Sequence, residues 1–146
     1  MNIDNNNIGK RILSIDFGKK RVGFAITDPL CMFAYSLKTI ENNKYFWDNF
    51  QAILEEFPEI DLILLGYPLK EDGTETDATK PVEKFLKQLK NKVNLKIILR
   101  DERYTSKIAY QRIIETVPSR KKRRDKSLID KGSAAVLLEE YLSEIK

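Results

Sequence analysis

The chain has 146 residues, 42% of them hydrophobic and 33% charged, proportions that suit a soluble globular protein with room for one proper core. One cysteine and no histidine exclude an intrachain disulfide, Ser-His-Asp and Cys-His catalysis within the chain, and histidine-built zinc sites. The net charge of +4 is concentrated: Ser119 to Lys126 carries six basic residues in eight, a density that commonly meets phosphate and otherwise reads as a solvated loop or a localisation-like tract.

Residues 1–10 read as a short polar tail. They lack the basic-then-apolar pattern of a secretory leader, and no apolar run in the chain approaches the length of a membrane span. The expectation is a cytoplasmic protein with one domain over 11–146 and no membrane partner.

Arg11–Phe17 is an apolar strand with Asp16 near its end, followed by a tight connector, Gly18-Lys19-Lys20-Arg21, and a second strand over 22–27. Phe33–Ile40 continues as a third strand, so the chain opens on an antiparallel meander. Apolar residues at Phe46, Phe50, Ile53, Leu54 and Phe57 have helical spacing, closed by Pro58. The continuous apolar run 61–66 predicts a strand covered on both faces. A polar loop with Gly73 follows. Val82, Phe85, Leu86 and Leu89 then mark a second helix, and 95–99 a fifth strand. Thr105 or Ser106 can cap a third helix carrying Ile108, Ala109, Ile113 and Ile114. The basic tract leads to a final helix over 129–141. Strand–helix–strand crossovers make the first, fourth and fifth strands parallel. The expected architecture is a mixed five-stranded α/β sheet flanked by helices.

Ligand sites in such sheets gather beyond the carboxyl ends of the parallel strands. Asp16 ends the first strand and Asp101-Glu102 follow the fifth. The loop with Asp72, Thr74 and Glu75 opens to the same edge. Asp130 stands at the start of the final helix, where the dipole tolerates an anion. If that helix packs beside the first strand, Asp16, Glu102 and Asp130 converge. Crowded carboxylates repel one another unless cations intervene. Oxygen ligands without histidine suit Mg2+ or Mn2+, and two such ions about 4 Å apart serve phosphodiester hydrolysis. Arg21, Arg103 and the tract Arg120, Lys121, Lys122, Arg123 and Arg124 would hold the nucleic-acid backbone. Each acid also has a plain structural reading: Asp16 as a turn residue, Glu102 paired with Arg100 or Arg103, Asp130 as a favourable helix-start charge. Tyr35, Tyr45, Trp47 and Tyr110 could stack bases, but core is the favoured reading for most of them.

Ile15-Asp16-Phe17-Gly18-Lys-Lys-Arg21-Val22-Gly23 resembles the opening motif of the YqgF/RuvX family, Holliday-junction-resolvase-like nucleases linked to pre-16S rRNA processing. Leu65-Gly66-Tyr67-Pro68-Leu69, Asp72-Gly73-Thr74-Glu75, Asp101-Glu102-Arg103-Tyr-Thr105-Ser106, the Ser119-Arg-Lys-Lys-Arg-Arg loop and Ile129-Asp130-Lys-Gly-Ser-Ala-Ala135, running on to Leu142, resemble further segments of that family in the same order. The resemblance covers 11–142. It implies a ribonuclease H-like fold with the second strand antiparallel, nuclease activity in the bacterial cytoplasm, and a role in maturing the 5′ end of 16S rRNA. Asp16, Glu102 and Asp130 would be the magnesium or manganese ligands. Where many ribonuclease H-like nucleases carry a fourth acid, this chain has Ser133.

The competing functions are resolution of DNA four-way junctions, a non-catalytic nucleic-acid or ribosome-binding module, and a sugar-kinase-like ATPase, for which the chain is too short to supply two domains. Junction resolution needs two active sites and hence a dimer. The sequence shows no strip of exposed apolar residues to mark one, so the expected state is a monomer or weak homodimer.

Overall fold

In a computed structural model of the chain, the described residues are 10–67, 79–101 and 126–145, with the side chains of 126–131 left aside. They form β1 (Arg11–Asp16), β2 (Arg21–Thr27), β3 (Ala34–Glu41), α1 (Phe46–Glu56), β4 (Ile60–Tyr67), α2 (Thr79–Lys92), β5 (Lys96–Asp101) and α3 (Lys126–Ile145). The strands make one sheet in the order β3-β2-β1-β4-β5. β2 is antiparallel to both neighbours, whereas β1–β4 and β4–β5 are parallel. The mixed sheet and its antiparallel second strand match the expectation. The expected third helix and the basic tract, up to residue 125, lie outside the described residues.

Alternation in β1 divides the interior in two. Leu13 and Ile15 point to the side covered by α1 and α2, where they meet Phe24, Phe46, Phe50, Ile53, Val82, Phe85 and Leu89. Ile12 points to the other side, where Ala25 and Leu64 meet Ala134, Leu137, Leu138 and Leu142 of α3. α1 presents Phe46, Phe50 and Ile53 at i, i+4, i+7 and ends where the Phe57 N–H bonds the Ile53 carbonyl, one residue before Pro58. Pro81 sits in the first turn of α2, where its missing N–H would lack a helical partner anyway. Each fully buried Phe, Leu or Ile in these layers contributes roughly 1.5–3 kcal/mol by leaving water.

The turn from β2 to β3 is organised by Asp28. Its carboxylate accepts N–H groups from Met32 and Phe33 at 2.8 Å and from Leu30 at 3.3 Å. Burial pulls its pKa upward, but the N–H groups of Phe33, Met32 and Leu30 outweigh that and hold it below the usual carboxylate range. Cys31 takes a left-handed backbone (φ 54°) within this turn, and its Sγ donates to the Lys10 carbonyl.

The same turn carries a correction. Leu30, Met32, Phe33 and Tyr35 are 62%, 48%, 58% and 54% exposed, so the molecule does present an apolar patch, beside and along the edge strand β3. A turn and a strand end bring these side chains together, and linear inspection of the pattern does not show it.

Candidate functional site

Asp16 is the last residue of β1 and is partly buried. Strand alternation places it on the α3 side, with Ile12 and Ser14, while its neighbours Ile15 and Phe17 pack into the opposite layer. Its cross-strand partner on β2 is Gly23. On the other flank, the parallel register Ile15↔Leu65 continues to Gly66 beside Asp16, and Gly66 pairs in turn with Arg100 of β5. The carboxylate is therefore bordered on both sides by residues without side chains. Among the described residues, the sheet positions flanking it are glycines. The row runs outward on β3 to Thr39, the partner of Gly23, whose hydroxyl oxygen is buried without a hydrogen-bond partner among the described residues.

One polar contact fixes the overlying helix to this row. The Ser14 hydroxyl donates to the Ala134 carbonyl at 2.9 Å, within the buried layer. Further along α3, Ile145 lines a cavity with Lys10 and Ile12 at the amino end of β1. The helix thus runs antiparallel to β1, and its amino-terminal turns lead toward the carboxyl end where Asp16 stands. The condition set from sequence, that the final helix packs beside the first strand, is met.

The helix begins earlier than expected, at Lys126 rather than Ile129. Asp130 is its fifth residue, one turn before Ala134, and not at the helix start. The dipole argument for an anion there loses force, because that effect falls off within the first turn. Ser133, at the position of the fourth acid in many ribonuclease H-like nucleases, is 2% exposed. Its hydroxyl sits in the layer that carries the Ser14 contact, where an additional carboxylate would be costly to bury.

Arg21 opens β2 on the same face as Gly23, two residues further toward the turn, and pairs across with Glu41 of β3. It shares with Asp16 both the face and the carboxyl end of β1. Asp101 does not: it pairs with Tyr67, which packs in the α1–α2 layer, and so lies on the opposite face. Adjacent residues of an extended segment point to opposite faces, which puts Asp101 on the face away from Asp16. Glu102, Arg103, Tyr110 and Arg120, Lys121, Lys122, Arg123 and Arg124 lie outside the described residues, and the Asp130 side chain is not described. Of the three expected ligands, only Asp16 has described surroundings.

The turn between β1 and β2 demands a glycine. A Cβ on Gly18 would stand 2.2 Å from the Arg21 carbonyl oxygen. The Gly18 carbonyl accepts from the Asn42 side chain at 3.1 Å, and the Asn42 N–H bonds the Lys20 carbonyl at 2.8 Å. The reading of most aromatics as core fails for two of them: Tyr35 and Tyr45 are 54% and 55% exposed. Trp47 is half-buried against Phe46, Phe50 and Phe85. The glycines flanking Asp16 and the Ser14 anchor went unassigned from sequence. Glycine inside a strand pattern, a signal of close approach by ligand or backbone, could have found Gly23 and Gly66.

Comparison with known proteins sets this geometry in context. A protein of Flavobacterium psychrophilum named "Putative pre-16S rRNA nuclease" is 36% identical over 137 residues, 91% of this chain and 96% of its own. A protein of Chlorobium phaeobacteroides with the same name is 39% identical over 137 residues, 91% of this chain and 92% of its own. Among solved structures, T. thermophilus RuvC in complex with Holliday junction substrate superposes with a TM-score of 0.56 at 10% identity, covering 93% of this chain and 96% of that one. The fowlpox virus Holliday junction resolvase gives 0.53 at 16% identity, over 93% and 99%. These likenesses establish the ribonuclease H-like fold of the RuvC type. Residues 10–144 match the family described as RuvX, Holliday junction resolvase, and the chain belongs to that family.

Proposed function

We propose that residues 11–146 form a single metal-dependent endonuclease domain that hydrolyses phosphodiester bonds of structured nucleic acid and matures the 5′ end of 16S rRNA from its precursor. The observation that carries this is Asp16: a partly buried carboxylate ending the central strand, flanked by Gly23 and Gly66 and roofed by a helix whose amino-terminal turns lead toward it. Family membership and the names of the relatives support the same reading.

The donor chemistry fits a hard divalent ion. Asp16 offers oxygen, and with no histidine in the chain the set fits Mg2+ or Mn2+, two ions in this proposal. Asp16, Glu102 and Asp130 would hold them. When bound, such ions activate water and stabilise the leaving oxygen. The chain's own part is to orient that chemistry. The Ser14–Ala134 contact locks α3 over the row, the two glycines admit the scissile phosphate, and Arg21, Arg103 and the 120–124 tract neutralise the backbone. The ribosome, where precursor rRNA is assembled, is the proposed setting, and the bacterial cytoplasm the proposed compartment. No described helix is long and apolar enough to cross a membrane.

The test is cleavage of a precursor 16S transcript bearing its 5′ leader, in Mg2+ or Mn2+, by the intact chain and by Asp16→Asn. Cleavage at the mature end that disappears in the variant is expected. Equal activity in both proteins sinks the role of Asp16. Paired cutting of a four-way junction with no cleavage of the precursor replaces RNA maturation by junction resolution. Metal-independent binding with no cleavage of either substrate leaves a binding module.

A further inference from the structure

On the side of the sheet away from Asp16, a groove of about 240 Å3 opens between the β1–β2 turn, the start of α1 and the exposed side of α2. Its floor is aromatic: Trp47 stacks on Phe85 with centroids 5.5 Å apart and planes 13° from parallel, and Phe17 lies 4.8 Å from the same Phe85 ring. Asn42, Lys84 and Gln88 complete its lining. It is smaller than the roughly 300–1,000 Å3 of a drug-sized ligand pocket, and it lies open to solvent along α2.

The surrounding charge is mostly positive. Lys80, Lys84 and Lys92 fall with Gln88 at four-residue spacing along α2, an arrangement of like charges that weakens a helix. Lys92 Nζ sits 5.7 Å from the Trp47 ring centroid. Lys19 and Lys20 are exposed on the turn that Asn42 ties to the groove. None of these five lysines joins an ion pair with another described residue, whereas Lys10, Arg11 and Arg100 are all paired. Of the neighbouring acids, Glu83 is held by the Tyr67 hydroxyl at 2.7 Å, and Asp48 stands in the first turn of α1.

Lysines without an ion-pair partner among the described residues, one lining an aromatic groove and the others around it, suit a single-stranded nucleic acid, whose phosphates meet the lysines while a base or sugar covers the rings. The position suits it too. Phe17, in the groove, directly follows Asp16 in the chain, so the groove begins where the cutting site ends, around the Gly18 turn. We infer that this groove is a second nucleic-acid contact surface, one that receives a single-stranded flank of the strand cut at Asp16. The inference rests on the nuclease reading for its purpose but not for its test.

Trp47 is the chain's sole tryptophan, so its fluorescence reports on the groove alone. The full-length Asp16→Asn protein is titrated with a single-stranded RNA of about 12 nucleotides, within the span such surfaces occupy. Trp47 emission and the anisotropy of a labelled strand are followed together. Saturable change in both signals is expected. Lys80→Glu with Lys84→Glu, both at exposed positions, is expected to weaken binding about tenfold at low salt. It should also flatten the salt dependence by about 0.7 in log–log slope for each phosphate that the variant leaves unneutralised. A blunt duplex should leave Trp47 unmoved. Anisotropy that reports binding while Trp47 is silent and the double variant binds normally overturns the groove but leaves the nuclease reading intact. So does absence of binding in both signals. An equal response to duplex overturns the single-strand assignment. Asp16-dependent cleavage decides the nuclease reading separately.

Discussion

The two faces of this sheet are built to different specifications. The core under α1 and α2 is dominated by aromatic and aliphatic side chains: Phe24, Phe46, Phe50 and Phe85 interlock, with Phe24 and Phe50 6.1 Å apart and Phe46 and Phe50 6.2 Å apart. The face under α3 mixes apolar residues with Ser14, Thr27 and Ser133, all buried, and carries the Asp16 row with its two glycines. Thr27 accepts the Ile12 N–H at 2.9 Å, and Ser14 holds Ala134. One face supplies stability through packing. The other gives up packing volume for polar contacts whose geometry is directional, which is what a site needs from its scaffold.

That contrast can be broken by experiment. The largest effect belongs to Asp16→Asn on the α3 face. It should lower cleavage by about a thousandfold or more, since metal-assisted charge stabilisation is worth several kcal/mol, with little change in thermal stability. A large loss of stability would mean that Asp16 is a structural residue. Next comes Phe50→Ala in the aromatic layer, with an expected cost of about 3–5 kcal/mol in denaturant unfolding. A cost below about 1 kcal/mol would show that the layer is loosely packed and the contrast overstated.

Smaller effects sharpen the comparison. Ser14→Ala should cost only about 0.5–1.5 kcal/mol, yet lower the cleavage rate by more than its stability loss accounts for, because α3 loses its anchor beside Asp16. A rate unchanged within error would separate the helix anchor from the site. The smallest effect is electrostatic. Arg100 grips Glu144 through both guanidinium nitrogens, with Nη1 at 2.7 Å. The hydrogen bond from Arg100 holds the Glu144 carboxyl below its ordinary pKa. A lowered folded-state pKa stabilises above the unfolded carboxyl value and is lost as pH falls through the folded value. NMR titration should therefore find Glu144 protonating at lower pH than an ordinary glutamate, and Arg100→Ala should return it to normal. This pair ties α3 to β5 at the far end of the Asp16 row, across Gly66, so the variant should lower cleavage less than Ser14→Ala does.

Much of this arrangement was legible in the sequence, for identifiable reasons. Apolar runs over 11–17 and 22–27 marked the strands, because a strand covered on both faces reads as continuously apolar, and the Phe46–Phe50–Ile53 stripe marked α1, because burial of one helix face leaves a repeat. The early start of α3 was hidden, because the charged tract leading into it carries no apolar repeat to mark a first turn. The exposure of Leu30, Met32, Phe33 and Tyr35 was also hidden, since hydrophobic residues on a turn look the same whether or not anything covers them. Asp16 was recognisable as an awkward acid, but packing of the final helix beside it could be stated only as a condition. That packing follows from the sheet order, a long-range fact that no local pattern contains. The Gly23 and Gly66 flank depends on register across three strands and became readable only with the pairing in hand.

Asp16 and Phe17 are consecutive, and the strand directs one to the polar row and the other into the aromatic layer. A slip of β1 by one residue would exchange them, driving a carboxylate among phenyl rings and swinging a phenyl ring into the polar row under α3. Packing and chemistry thus veto the same error from opposite sides. A single-residue insertion or deletion in β1 should consequently be among the least tolerated lesions in this chain, harsher than any substitution of Asp16 itself.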